Sequence, residues 1–227
     1  MKKIRERSLR LESLEDRMLL AVTAGCEEAA AAQFAPAETG AEISCDVTLS
    51  AFRKALNNAS DGDTITFNGS GTIVVTSAIQ LNKSLTINGG GNVIFQGAGE
   101  NMLFQFSRDC TFNGVGFSNG ATTENSGNGG VGRINDGNTL TLNDCDIFNN
   151  KALEGNNTSG GAFYVTGTLN MNNCNAYSNQ ASYGGFAFIN GQNTNATINA
   201  TNCNFYGNSA DGYGGAIANV GDRKRVV

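Results

Sequence analysis

Cys145, Cys174 and Cys203 stand 29 residues apart, and each carries the same neighbours. Five positions after them come Asn150, Asn179 and Asn208. Seven after come Ala152, Ala181 and Ala210. A loop of variable length then reaches Gly160-Gly161, Gly184-Gly185 and Gly214-Gly215, and Gly129-Gly130 is an earlier copy of that pair. Upstream, Leu140 and Leu142 match Leu169 and Met171, then Ile198 and Ala200, with Cys110 and Phe112 one unit before; Val115 takes the cysteine's place there. Phe117, Ile147, Ala176 and Phe205 follow two residues after the aligned position. Apolar and polar residues alternate through these segments, the period of a strand with one buried face.

A fixed period in the twenties to thirties built from short strands signals a solenoid. A single coil cannot bury its own apolar face, but stacked coils about 4.8 Å apart can. The predicted fold is all-β: a right-handed parallel β-helix of three-strand coils with a short N-terminal capping helix. Repeated asparagines suit amide hydrogen bonds from coil to coil, and the glycine pairs suit sharp corners. Leucine-rich, TPR and ankyrin repeats are excluded, because neither their leucine spacing nor any helical period occurs inside the unit.

Composition narrows the chemistry. The chain has no histidine, which removes Ser-His-Asp triads and histidine metal sites. Residues 26–222 hold 6 Lys/Arg against 16 Asp/Glu, a poor match to nucleic acid. There is no CxxC pair, so no zinc site is expected, and no cofactor.

The first 25 residues are ordered as an export leader: basic residues from Lys2, the apolar run Met18-Leu19-Leu20-Ala21-Val22, then small Thr23-Ala24-Gly25. The apolar run is too short to span a bilayer. The stretch Leu11-Glu12-Ser13-Leu14-Glu15-Asp16-Arg17-Met18-Leu19-Leu20-Ala21 resembles the LEPLEDR leader segment of large exported proteins of planctomycete-type bacteria, with Ser13 where that pattern has Pro. The resemblance implies export. Cys26 lacks the upstream Leu of a lipid-attachment site. Residues 26–43 read as a spacer, and residues 223–227 as a tail, consistent with a truncated copy or a fragment of a longer protein.

Residues 44–62 read as a capping and entry segment. Leu49, Phe52, Arg53 and Leu56 fall at helical spacing within 44–59, and Ser50 is the predicted N-cap. Short β-branched strands follow at Asp63–Phe67, Gly71–Val75, Ala78–Leu81 and Leu85–Ile87, and the β-helix is placed at 63–222. Residues 45–90 resemble the CSLREA-type entry segment of secreted bacterial β-helix proteins, in which a helix caps the open end of the solenoid. Ala51-Phe52-Arg53-Lys54-Ala55-Leu56 departs from that pattern.

The units CDIFNNKA…GGAFYV, CNAYSNQA…GGFAFI and CNFYGNSA…GGAIAN resemble the FxxN and GGA[IL] repeats of polymorphic outer membrane proteins over residues 110–220. Phe148 and Phe205 fall one register apart, so the FxxN part is loose. The resemblance implies a secreted or outer-membrane, adhesin-like β-helix and carries over no catalytic residue; an elongated Asn/Thr-rich face suits glycans or surface proteins as partners, and the lack of His and of a complete catalytic motif argues against an enzyme. The alternative is a carbohydrate-active β-helix using carboxylates. Asp144 and Asp146 are its best candidates, on an outer face beside Asn173 and Asn202, with Arg108 and Asp109 one coil earlier. The three repeat cysteines read as a buried apolar ladder. A Cys26–Cys45 disulfide is left open.

Overall fold

The computed structural model describes residues 40–122, 128–152, 158–192 and 195–221. The leader, Cys26 and the tail lie outside the described residues. What is described is a parallel β-helix. An edge strand, β1 (Glu42–Cys45), and helix α1 (Leu49–Asn58) precede the first coil of β2 (Thr64–Phe67), β3 (Gly71–Val75) and β4 (Ile79–Leu81). The second coil is β5 (Leu85–Gly97) and β6 (Phe104–Phe106), and the third β7 (Cys110–Ser118), β8 (Ala121–Thr122) and β9 (Gly132–Ile134). The fourth has β10 (Thr139–Asn143), β11 (Asp146–Phe148), β12 (Lys151–Ala152) and β13 (Phe163–Val165). The fifth repeats this as β14 (Thr168–Asn172), β15 (Asn175–Tyr177), β16 (Gln180–Ala181) and β17 (Ala187–Gly191). The sixth is β18 (Thr197–Thr201), β19 (Asn204–Tyr206), β20 (Ser209–Ala210) and β21 (Ile217–Gly221). Equivalent strands pair in parallel into sheets of eleven, four and six strands.

The predicted alignment is the observed register. Cys110, Leu140, Leu169 and Ile198 are successive partners, as are Phe112, Leu142, Met171 and Ala200. A third inward ladder runs Ile73, Phe95, Phe117, Ile147, Ala176 and Phe205. Phe95, Phe112, Phe117, Leu142 and Ile147 are fully buried. Burying each such side chain contributes roughly 1.5–3 kcal/mol, so a column of them binds each coil to its neighbours. The ladder thins at its far end, where Ala200 is exposed and Ile198 and Phe205 are only half-buried.

The capping helix is shorter than the expected 44–59. Ser44 and Cys45 belong to β1, which pairs with β2 from Glu42↔Thr64 to Cys45↔Phe67. The N-cap is Thr48 and not Ser50. Thr48 is extended (φ −138°, ψ 150°), and its Oγ1 accepts the Ala51 N–H at 3.1 Å. That leaves Ser50 inside the first turn, where it caps nothing. From the helix, Phe52 inserts fully buried between Phe67 and Phe95, at centroid distances of 5.4 and 5.1 Å. The Lys83 Nζ closes the other end of the helix by donating to the carbonyls of Leu56 (2.9 Å) and Ala59 (2.5 Å).

Each regular coil turns three corners, and each corner contains a left-handed residue. In the fourth coil these are Asp144 (φ 54°), Asn149 (φ 56°) and Gly160 (φ 72°). Their counterparts one coil on are Asn173, Ser178 and Gly184. Left-handed backbone costs an ordinary L-residue roughly 1–2 kcal/mol and is eased by Gly, Asn and Asp. At the third corner the two glycines differ in role. Gly160 supplies the positive φ and Gly161 does not, yet neither has room for a Cβ, which would overlap the Phe163 carbonyl at Gly160 and the Gly185 carbonyl of the next coil at Gly161.

The coil-to-coil asparagines form a buried ladder at the second corner. Asn150 and Asn179 are fully buried. The Asn150 N–H donates to Asn179 Oδ1 at 3.0 Å, and Asn179 Nδ2 donates to the Ile147 carbonyl at 2.9 Å. A second ladder runs on the opposite side of the backbone. Asn172 Nδ2 donates to Asn143 Oδ1, Asn143 to Asn113 and Asn113 to Asn88, at 2.7–2.8 Å.

Among the described residues the cysteines are free thiols: Cys45, Cys110, Cys145 and Cys174 are buried, and Cys203 is half-buried. The Cys145 Sγ donates to the Phe112 and Asn143 carbonyls, and the Cys174 Sγ to those of Leu142 and Asn172. These thiols therefore pack as small apolar groups whose weak donors are satisfied.

Candidate functional site

The eleven-stranded sheet carries its distinctive chemistry on its outer face. Asp144 and Asp146 flank the buried Cys145, and both carboxylates point away from the core. They do not lie on one uninterrupted strand, as the alternation of polar and apolar residues predicts. Asp144 is the left-handed bend between β10 and β11, and Asp146 opens β11. The bend keeps both side chains outward despite the change in chain direction.

Each carboxylate heads its own ladder. Asn173 Nδ2 donates to Asp144 Oδ1 at 3.2 Å, and Asn202 Nδ2 to Asn173 Oδ1 at 3.3 Å. Asn175 Nδ2 donates to Asp146 Oδ1 at 2.9 Å, and Asn204 Nδ2 to Asn175 Oδ1 at 3.0 Å. Asn173 and Asn202 thus sit beside Asp144 as expected, and Asn175 and Asn204 complete the arrangement on Asp146. Beyond them a column of rings runs along the same face. Phe148 stacks on Tyr177 at 5.1 Å and Tyr177 on Tyr206 at 4.9 Å, each pair inclined by only 4°. Tyr206 is 55% exposed. Spacing by cysteine misses this column because its ring changes identity from Phe to Tyr; the constant offset of three residues after Cys145, Cys174 and Cys203 marks it.

In the third coil both outward ladders stop. Gly116 pairs with Asp146, and Gly114 (φ 59°) holds the place of Asp144. With no side chains there, the face opens into a notch of about 230 Å³ lined by Gly91, Gly114, Gly116, Asp144, Asp146 and Phe148. Its far wall exists because residues 89–92 of the second coil face the single Gly114 of the third, a register shift that throws the chain outward. The volume is below the ~300 Å³ of sites for drug-sized ligands and suits a single ring or side chain.

Arg108 and Asp109 are not part of this notch. Asp109 aligns with Thr139, whose N–H it accepts at 2.7 Å, and the Arg108 Nη1 donates to the Ser107 carbonyl. Five residue-to-residue steps of extended chain separate Asp109 from Gly114, roughly 17 Å at the rise of a β-strand. The predicted grouping of all four residues therefore fails, because coil alignment places glycines and not Arg108 and Asp109 in front of the two aspartates.

A second, larger cavity of about 540 Å³ lies at the neighbouring corner, lined by Val74, Gln96, Asn119, Asn149 and Lys151 among others. Among the described residues no group of three or more Cys, Asp or Glu is placed to hold a metal ion. No helix among them is long and apolar enough to cross a membrane. The fold and this face define a parallel β-helix with a polar, ring-lined outer sheet. No family model matches the chain, and neither a curated protein nor a solved structure matches it.

Proposed function

We propose that the chain is an exported surface β-helix, non-enzymatic and adhesin-like, whose outer sheet binds carbohydrate. The observation that carries this reading is the alignment of three ladders on one face: carboxylate and amide groups from Asp144 and Asp146, and stacked rings from Phe148 to Tyr206. A sugar presents hydroxyls around an apolar ring. Fixed acceptors beside aromatic surface match both parts, and their positions cost no further ordering on binding. The notch beside Phe148 takes one sugar ring, and the ladders continue at coil spacing along the chain of a longer glycan. The basic-apolar-small order of the first 25 residues supports export.

A glycan array probed with the full chain tests the reading. Binding that falls at least tenfold in Tyr177→Ala and in Asp146→Ala, with thermal stability retained, supports it. An array with no binder sinks it. The paired carboxylates at the notch favour one other reading, a carbohydrate-cleaving enzyme. Incubation with pectin, alginate and related polymers with added Ca²⁺ separates the two, since products whose release stops in Asp144→Ala or Asp146→Ala belong only to the enzyme.

A further inference from the structure

Lys151 faces a cavity that the coils before it leave open. In its column the later coils carry Gln180 and Ser209, and the coil before it carries only Ala121. One coil earlier again, the chain leaves β5 at Gly97 and runs through Ala98 and Gly99. Short side chains in two successive coils leave the corner cavity of about 540 Å³. That volume lies within the range of small-ligand sites, about 300–1,000 Å³.

The polar groups around this cavity are not spent on the stack. Asn119 and Asn149 are the left-handed corner residues of the third and fourth coils (φ 51° and 56°), where the next two coils have Ser178 and Gly207. Serine and glycine meet the same backbone demand, so the conformation does not require the two amides. Among the described residues no hydrogen bond uses the side-chain amide of Gln96, Asn119 or Asn149, and Lys151 makes no ion pair. By contrast, the amides of Asn143, Asn150, Asn172 and Asn179 are all held from coil to coil. Val74, 51% exposed, adds an apolar wall. The residues described in the lining include Lys151 and no Asp or Glu. The notch, lined by Asp144 and Asp146, has the opposite charge.

The two sites adjoin. Gln96, Ser118 and Phe148 are successive partners in one column, and Gln96 lines the cavity while Phe148 lines the notch. Three residue-to-residue steps, at most about 10 Å of extended chain, lead from Phe148 to Lys151.

We propose that the corner cavity is a second subsite of the outer face, taking an anionic sugar unit whose carboxylate or sulfate pairs with Lys151 and whose hydroxyls meet the free amides of Gln96, Asn119 and Asn149. This rests on the carbohydrate-binding reading and specifies an acidic glycan as its ligand. Like charge at Asp144 and Asp146 excludes the anionic unit from the notch, so a neutral unit sits at Phe148 and the acidic one around the corner.

Matched disaccharides test this on the isotopically labelled full chain: cellobiose against cellobiouronic acid, and lactose against lactose 6′-sulfate. At least one acidic probe is expected to bind at least threefold more tightly than its neutral counterpart at low salt, and to shift the side-chain amide signals of Asn119 and Asn149. The pair that shows the preference tells carboxylate from sulfate. Added salt narrows the difference. Lys151→Gln, which installs the residue of the next coil, abolishes the preference and leaves neutral binding and thermal unfolding unchanged. Neutral and acidic probes bound equally, a preference that survives Lys151→Gln, or unmoved Asn119 and Asn149 amides overturns the subsite and leaves the carbohydrate reading standing. No binding of any of the four at millimolar concentration overturns both.

Discussion

The Nδ2 of Asn179 reaches back 32 residues to donate to the carbonyl of Ile147 at 2.9 Å. The same side chain accepts the N–H of Asn150 through Oδ1. A buried position that must both donate and accept admits an amide and rejects its isosteres. Asn179→Asp keeps a donor only while protonated, and when ionised it loses that donor and places a charge at a fully buried corner. Leaving such groups unsatisfied costs about 1–3 kcal/mol each. Asn179→Asp and Asn179→Leu are both expected to lower stability by about 3 kcal/mol in urea unfolding, whereas Asn173→Leu on the outer face changes it by less than about 1 kcal/mol.

Phe52 is the end plug of the apolar column. Phe52→Ala removes a fully buried ring in contact with Phe67 and Phe95. Substitutions of this kind cost about 3–5 kcal/mol. Thermal unfolding is expected to show that loss. Hydrogen exchange is expected to place the opened region in β1 and β2, with β14 and β15 still protected.

Ser178 occupies a left-handed corner (φ 54°) where the equivalent residues are Asn119, Asn149 and Gly207. Ser178→Gly removes the Cβ strain of that conformation, and the added freedom of the unfolded chain offsets part of the gain. A net rise of about 0.5–1 kcal/mol is expected. A fall on calorimetry contradicts the account of the corner.

Thr122 stands in the ladder position of Ala152, and its buried hydroxyl has no hydrogen-bond partner among the described residues. Thr122→Val keeps the shape and removes the orphan group. It is expected to raise stability by about 1 kcal/mol or more. Unchanged or lowered stability in denaturant titrations argues for a partner to this hydroxyl in solution.

Burial pushes the Cys110 thiol up to about 11, with the nearby Asp109 adding to the effect, and burial does the same for Cys45. An unfolded thiol ionises near 8.5. Above that pH the unfolded chain has released protons that the native chain retains, so it binds fewer and stability falls as pH rises. The contribution is complete below about pH 8.5 and is lost by about pH 11. Cys110→Val is expected to flatten that alkaline slope. An unchanged slope means that other groups control it.

The repeat was legible because period-two alternation exposes one face of each strand, and equivalent positions must match to stack. Cys145, Cys174 and their inward neighbours follow from that rule alone. The corners were less legible. A left-handed residue such as Asp144 interrupts the strand without breaking the alternation, so β10 and β11 read as one element. The second amide ladder escaped notice because Asn88 and Asn113 are 25 residues apart, whereas Asn143 and Asn172 are 29 apart. Its usable signal was an offset: Asn113, Asn143 and Asn172 each stand two residues before Val115, Cys145 and Cys174. At the candidate site, the outward aspartates could be read from sequence. The notch could not, since it arises from missing side chains at Gly114 and Gly116.

One sheet keeps its register while the chain between sheets changes length. Phe163 pairs with Ala187, 24 residues later, and Ala187 with Ile217, 30 later, although Lys151, Gln180 and Ser209 keep a constant 29. Lengthening a surface loop costs little, about 0.6 kcal/mol per doubling. The chain between Ala152 and Thr158, ahead of the buried Ser159 and the Gly160–Gly161 corner, is therefore a point of free variation on a fixed frame. Selection can rewrite it, or an engineer can splice a foreign epitope into it, without renegotiating the core.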